Sequence, residues 1–354
     1  MYLQQLTLRN FKNHVQFEHT FQQGIQLIVG PNGSGKTNLL DAIHLLSVGR
    51  SAFNPVDNQL IHWESDFFFA EGQFDAFAVR CTLERNKRKT LSCQGKAYEK
   101  IADHYGRFPV VLIAPYDTDL IREGSQIRRN FFDGIIAQTN RPYLEALVQY
   151  RQLLRQRNQT LKQDYPDRTL LETYAQQLLP LNERIAQQRE QFVQHFMPLF
   201  GQAHQALTQG KESVDLQYRS EVQQPDFVQT FLHNLRRDIQ LQRTEKGIHA
   251  DKYNLNIDGY PLKKFGSQGQ QKTTVLALKL AHFQWLSQEK AQSPILLLDD
   301  IFDKLDTHRT QQLLSVLHDH QFEQIFVTDA TPERSEMLFE QIQRPLAVIS
   351  TQRI

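Results

Sequence analysis

Cysteine is scarce in this chain, with only Cys81 and Cys93 among 354 residues. Their separation suits neither a C-x-x-C clamp nor a zinc site. Both are expected to serve as small apolar residues in a reducing compartment. An excess of charge is also missing, since 40 Lys and Arg face 39 Asp and Glu for a formal net charge of +1. That balance excludes a globally basic coat for a polyanion, so any such contact must come from a local patch. No apolar run approaches the ~20 residues of a membrane-crossing helix. The opening "MYLQQLTLRNF" has no charged stretch followed by an apolar run. No secretory leader is therefore expected, and the protein is expected in the cytoplasm. What is present is 40% hydrophobic and 22% charged residues, a composition that favours a folded core over disorder.

The pattern changes along the chain. "GIQLIV" (Gly24 to Val29) and "FPVVLIAP" (Phe108 to Pro115) read as buried strands. "AVRCTLER" alternates Val79, Cys81 and Leu83 with polar residues, a half-buried strand that "NKRK" joins to "TLSC" as a hairpin. From Tyr143 to Lys162 the spacing is helical, with Leu144, Leu147, Val148 and Leu154 on one face. "QDYPDR" interrupts, and a second stripe follows through Leu171, Tyr174, Leu178, Leu181, Ile185 and Phe192. Together they predict an antiparallel helical hairpin with helices about 30–40 Å long. Pro180 is expected to kink the second helix by removing an amide donor. Strands return after Lys211, and "KYNLNIDGYPL" turns at Asp258-Gly259, a strong hairpin signal.

Gly30-Pro31-Asn32-Gly33-Ser34-Gly35-Lys36-Thr37 fits G-x-x-x-x-G-K-[ST] between an apolar strand and an amphipathic helix. Glycines let backbone amides close on anionic oxygens, and the helix N-terminus adds partial positive charge. Lys36 is expected at the β- and γ-phosphates of ATP, and the Thr37 hydroxyl on Mg²⁺. In "PILLLDDIFDKLD" four apolar residues lead to Asp299, the candidate metal-side carboxylate. Asp300 is the candidate for orienting the attacking water. Aspartate is shorter than glutamate, so slow hydrolysis is expected, suited to a timer. Capping of the next turn is the plainer use of such a pair. In "FGSQGQQKTTVLALKLA", Ser267 and Gln270 form an S-x-x-Q capping box, which leaves Gly269 unexplained. Presentation of a hydroxyl and free amides to a phosphate accounts for all three.

These motifs resemble ABC-type ATPases, whose S-x-G-Q signature precedes the carboxylate strand and closes over nucleotide held by a second copy. Leu305-Asp306 resembles the short loop at that dimer interface. Thr328 and Asp329 stand where such sites usually carry a switch histidine. The 231 positions between Lys36 and Ser267 exceed the spacing in transporter subunits. Chromosome-organising relatives insert coiled coils of hundreds of residues. The short insertion resembles the RecF family of recombination mediators over nearly the whole chain, through "LTLRNFKNH", "GPNGSGKTNLLDAIHLLSVGRS", "REGSQIRRNFFD", "SQGQQKTTVLALKLA" and "ILLLDDIFDKLD". Within the third, the matching positions are Gly124, Arg128, Arg129, Phe132 and Asp133. Two departures occur. The family's Gly-Pro-His-Arg-Asp-Asp stretch is Gly247-Ile248-His249-Ala250-Asp251-Lys252 here, and its acidic pair after Ala114-Pro115 is Tyr116-Asp117. No site role is assigned to His249, Asp251 or Asp117.

The resemblance implies an α/β fold: an ABC-type P-loop ATPase head of mixed sheets and flanking helices, interrupted by an α-helical arm. The expected parts are residues 1–124 and 208–354 for the head and 125–207 for the arm. It also implies an ATP-dependent homodimer on DNA at gaps or single-strand/double-strand junctions, cooperating with RecR and RecO to load a recombinase. Candidate DNA contacts are Arg85, Lys87, Arg88 and Lys89 on the hairpin tip, Arg151, Arg155 and Arg157 on the arm, and Lys263 and Lys264 before the signature. No basic strand interleaved with aromatics is evident, so contacts are expected with the DNA backbone. A DNA-independent phosphotransferase is the alternative. It would need an acceptor pocket and a lid within one chain, and it leaves the signature without a use.

Overall fold

The computed structural model describes residues 1–302, 307–319, 322–340 and 344–351. The chain divides into two compact units. The first comprises Met1–Asp117, Ala206–Gly210 and Leu276–Ile354, the second Thr118–Gln205 and Lys211–Val275.

The first unit holds two sheets. One is parallel, with strand order Leu346–Ser350, Gly24–Val29, Gln324–Asp329, Ile295–Asp299 and Val110–Ile113. Its three central strands are buried at every position, as expected of parallel strands covered on both faces. The register sets Asp299 beside Thr328 and Asp329 beside Val29, so three strand ends finish level. In an open parallel sheet, that carboxyl edge is where ligands bind. The other sheet is antiparallel and six-stranded, and includes the expected hairpin of Phe77–Glu84 with Thr90–Cys93. Between them lies the helix Lys36–Val48, with Leu39, Leu40, Ile43 and Leu46 at most 1% exposed. Burial of each such side chain contributes about 1.5–3 kcal/mol relative to exposure. Cys81 and Cys93 are free thiols in this core, and burial pushes Cys81 up to about 12.

The second unit is built on helices Ser125–Thr139, Arg141–Leu161 and Arg168–Thr208, the last ending in the first unit, with a three-stranded sheet. The two longer helices form the expected antiparallel hairpin. Tyr143, in the first turn of one, meets Arg189 far along the other, while residues 162–167 join their opposite ends. Three details differ from the sequence reading. The second helix has 41 residues and continues through Pro180 and Pro198, so at 1.5 Å per residue it is about 60 Å long. The buried stripe of the first helix is turned away from Val148, which is 51% exposed, toward Tyr143, Ala146, Leu147, Tyr150 and Leu153. Its two tyrosines are large enough to set the buried face, which a stripe of aliphatic residues alone misplaces. Third, Arg157 is 1% exposed, its guanidinium 2.8 Å from Asp238, and so it is removed from the candidate DNA contacts.

Candidate functional site

In the first unit, the phosphate loop leaves the strand Gly24–Val29 and ends at Gly35, the N-cap of the helix Lys36–Val48. Gly35 has φ +96°, and a Cβ there would lie 2.5 Å from the side chains of Asn13 and His14. Glycine is therefore required both by the left-handed backbone and by the close approach. Asn13 Nδ2 donates to Gly33 O at 3.3 Å, and His14 Nε2 meets Gly35 O at 3.0 Å. From the far end of the chain, Thr351 shares a 2.6 Å hydrogen bond with Ser34. The Lys36 ammonium folds over the loop, donating to Gly30 O at 2.7 Å and Pro31 O at 3.1 Å. An anion in the loop offers that ammonium a stronger, charge-assisted partner than two neutral carbonyls.

Asp299, the last residue of its strand, receives two hydroxyls on one oxygen. Thr37 donates at 2.8 Å and Thr328 at 2.9 Å. Burial pushes the Asp299 carboxyl above its ordinary value. The two threonine hydrogen bonds oppose this, neighbouring Asp300 adds to it, and Lys36 opposes it. Asp300 follows with φ +48°, and its amide donates to Thr328 Oγ1 at 3.0 Å. The bend turns Asp300 out of the strand's line. The adjoining Asp329 carboxylate is engaged in capping the helix Pro332–Glu340. It accepts from Thr331 N at 2.8 Å and from the Ser335 hydroxyl. Leu305-Asp306 lies outside the described residues. A hydroxyl, a carboxylate and an ammonium gathered at the mouth of an amide-lined loop suit a nucleotide phosphate with a divalent cation.

In the second unit, the expected capping box forms. Ser267 N donates to Gln270 Oε1 at 2.7 Å, and Gln270 N donates to Ser267 Oγ at 3.2 Å. Gln270 also donates to Glu212 at 3.0 Å. Ser267 remains exposed at the start of the helix Gln268–Lys290, with Gly269 one position short of Gln270. The residues of "REGSQIRRNFFD" are framework. Arg128 donates to Tyr253 O at 2.9 Å, Arg129 donates to Asp251 O at 2.7 Å, and Phe132 is buried. Asp133 and Asp251 both pair with Arg189, at 2.9 and 2.6 Å. His249 is satisfied by Tyr150 Oη at 2.7 Å and Thr244 O at 3.0 Å. In the first unit, Asp117 pairs with Lys279 at 2.7 Å.

The cationic candidates differ in availability. Arg85 faces Asp66 at 3.5 Å, Lys87 pairs with Glu84, and Lys89 pairs with Asp57 at 2.7 Å with its side chain 5% exposed. Arg88 is exposed and has no ion-pair partner among the described residues, and the same is true of Lys263 and Lys264 in the second unit. The sequence reading did not single out Asn13, His14 or Thr351. Asn13 and His14 fall within "LTLRNFKNH", a polar turn after a strand, whereas no local signal marks Thr351.

The parallel sheet, the phosphate loop on its carboxyl edge and the capped S-x-G-Q helix define an ATPase head of the ABC type. The chain belongs to the RecF family. The family model for the RecF/RecN/SMC N terminal domain matches residues 2–353. The DNA replication and repair protein RecF of Flavobacterium johnsoniae is 41% identical over 346 residues, 96% of this chain and 96% of that protein. The protein of the same name from Cytophaga hutchinsonii is 40% identical over 347 residues, 96% of this chain and 92% of that one. Among solved structures, the recombination mediator protein RecF-ATPrS of the RecFOR pathway superimposes with TM-score 0.85 at 28% identity, covering 93% of this chain and 92% of that one. The Smc head domain from Pyrococcus furiosus shares the fold, with TM-score 0.58 at 17% identity, 99% of this chain and 94% of that one.

Proposed function

We propose that this protein is an ATP-dependent switch of recombinational DNA repair, whose heads pair over nucleotide and clamp DNA at gaps or junctions. The observation that carries this reading is the 2.8 Å hydrogen bond from Thr37 to Asp299, which joins the phosphate loop to the carboxylate strand. Lys36 would bind the β- and γ-phosphates, and the loop amides would hold the rest of the chain of phosphates. Thr37 and Asp299 would hold Mg²⁺, which would neutralise charge on the phosphate oxygens when bound. Asp300 would orient a water against the terminal phosphate, slowly enough for the closed state to persist. Ser267, Gly269 and Gln270 would reach the nucleotide of a second copy and complete its site. Arg88, Lys263 and Lys264, which carry no ion pair among the described residues, would contact the DNA backbone, with Arg85, Lys87 and Lys89 released from their pairs only at some cost. RecR and RecO are the partners expected from the family, and recombinase loading the outcome.

Sedimentation of wild type and Ser267→Arg, with and without ATP and a gapped duplex, tests the mechanism. The expected result is an ATP-induced dimer that the substitution abolishes while ATP binding persists. A wild type that stays monomeric under every condition would reduce the signature to a helix cap and remove the clamp.

A further inference from the structure

We propose that Tyr260 and Phe265 form a stacking platform for an unpaired base, so that this edge of the second unit reads single-stranded DNA. The inference rests on the DNA reading above and deepens it. Tyr260 closes the hairpin whose turn, Asp258-Gly259, has φ +47° and +81°. One helical turn, Leu262–Phe265, follows. Leu262 is 0% exposed and anchors that turn, and a Cβ on Gly266 would come within 2.5 Å of it. With Leu262 fixed inward, Lys263, Lys264 and Phe265 are turned outward.

The two rings lie 5.6 Å apart at an interplanar angle of 60°, Tyr260 being 62% and Phe265 66% exposed. An edge-to-face pair braces its members and leaves ring faces open. Two exposed lysines stand between these rings in sequence, and neither has an ion-pair partner among the described residues. Nearby carboxylates are engaged: Asp258 holds Ser213 N at 2.9 Å, and Glu212 accepts from Gln270 at 3.0 Å. Open aromatic faces beside unpaired cations are what a nucleic-acid strand requires, a π-surface for the base and positive charge for its phosphate. A protein partner fits less well, because lysine is depleted at the centres of protein interfaces. Duplex is also disfavoured, since its bases already stack on one another and offer no free face. A strand-periodic reading misses the platform because one ring ends a hairpin and the other ends a helical turn.

The test uses the full-length protein with ATP and two probes of equal length, a continuous duplex and an oligothymidine carrying one 2-aminopurine. Tyr260→Leu and Phe265→Leu are expected to weaken single-strand binding by roughly 5- to 100-fold and to abolish 2-aminopurine quenching. Duplex affinity should stay within about twofold, since phosphate contacts dominate it, and Phe265→Trp should restore both single-strand readouts. Leucine variants that keep wild-type single-strand affinity and quenching, in a protein that binds both probes, would overturn the platform alone. Leucine variants that lose ATP-driven self-association without DNA, yet bind the single strand normally, would assign the rings to a second copy and overturn it as well. A wild type that binds neither probe at low salt would sink the DNA reading and the platform together.

Discussion

Asp299 is the residue at which stability and function oppose each other. Its carboxyl is raised from the usual 3.8, chiefly by burial, so the folded protein without ligand holds the charged form less favourably than the unfolded chain does. A raised carboxyl contributes stability below its unfolded value and loses it as pH climbs through the folded one. Above the folded value the Asp299 charge is therefore held at a cost that a bound cation would relieve. Asp299→Asn is expected to melt a few degrees higher than wild type without ligand and to lose the further rise that Mg²⁺ and ATP produce. A thermal-shift titration checks this, and a substituted protein with the full Mg-ATP shift would remove Asp299 from the metal site. Asp300→Asn should behave differently, retaining ATP-driven pairing while hydrolysis falls at least tenfold. Unchanged turnover in a phosphate-release assay would take the water-orienting role from Asp300.

At the scale of elements, the second unit is pinned by charges removed from water. Arg189, 1% exposed, joins Asp133 on the helix Ser125–Thr139 to Asp251 beside the three-stranded sheet, and Tyr143 and Tyr218 complete the set. Burial raises the Asp251 carboxyl, and Arg189 is the largest opposing influence. Arg189→Met keeps the helix but leaves buried Asp251 without its cation and Asp133 with only Arg151 at 3.2 Å, which should cost about 3–5 kcal/mol. Urea unfolding followed by circular dichroism measures this, and a loss under ~1 kcal/mol would show that the cluster is dispensable. The capping box at Ser267 is local by comparison and is worth about 1 kcal/mol.

For the whole molecule, pH enters through buried imidazoles. Burial lowers His104 to about 4, with Arg107 adding and the Leu46 carbonyl opposing. Burial also lowers His282 to about 3, with Lys279 and His44 adding. A lowered histidine contributes stability above its unfolded pKa of 6.5 and loses it as pH falls toward the folded value. Each should cost ~1.4 kcal/mol per pH unit below 6.5, or about 2 kcal/mol by pH 5. The urea midpoint is therefore expected to fall across that window, more gently in His104→Gln. A midpoint that is flat from pH 7 to 5 would show that neither imidazole is held neutral. With a net charge of +1, long-range attraction to a polyanion is small, so on the proposed DNA reading binding would depend on local cations such as Arg88, Lys263 and Lys264.

The sequence by itself determined the parts whose chemistry is local. The phosphate loop, the apolar strand ending in Asp299, the Ser267–Gln270 cap and the Asp258-Gly259 turn each depend on residues a few positions apart. Backbone geometry and hydrogen bonding over one turn leave such segments little choice. Tertiary structure decided what depends on distant partners. It set Thr328 on Asp299, brought Asn13, His14 and Thr351 to the loop, buried Arg157 and Arg189, and turned Val148 outward. An arginine in a helix reads the same whether it faces water or an aspartate 81 positions away. Periodicity reports which face of an element is apolar, whereas the partner that neutralises a charge or braces a ring is chosen only when the chain packs.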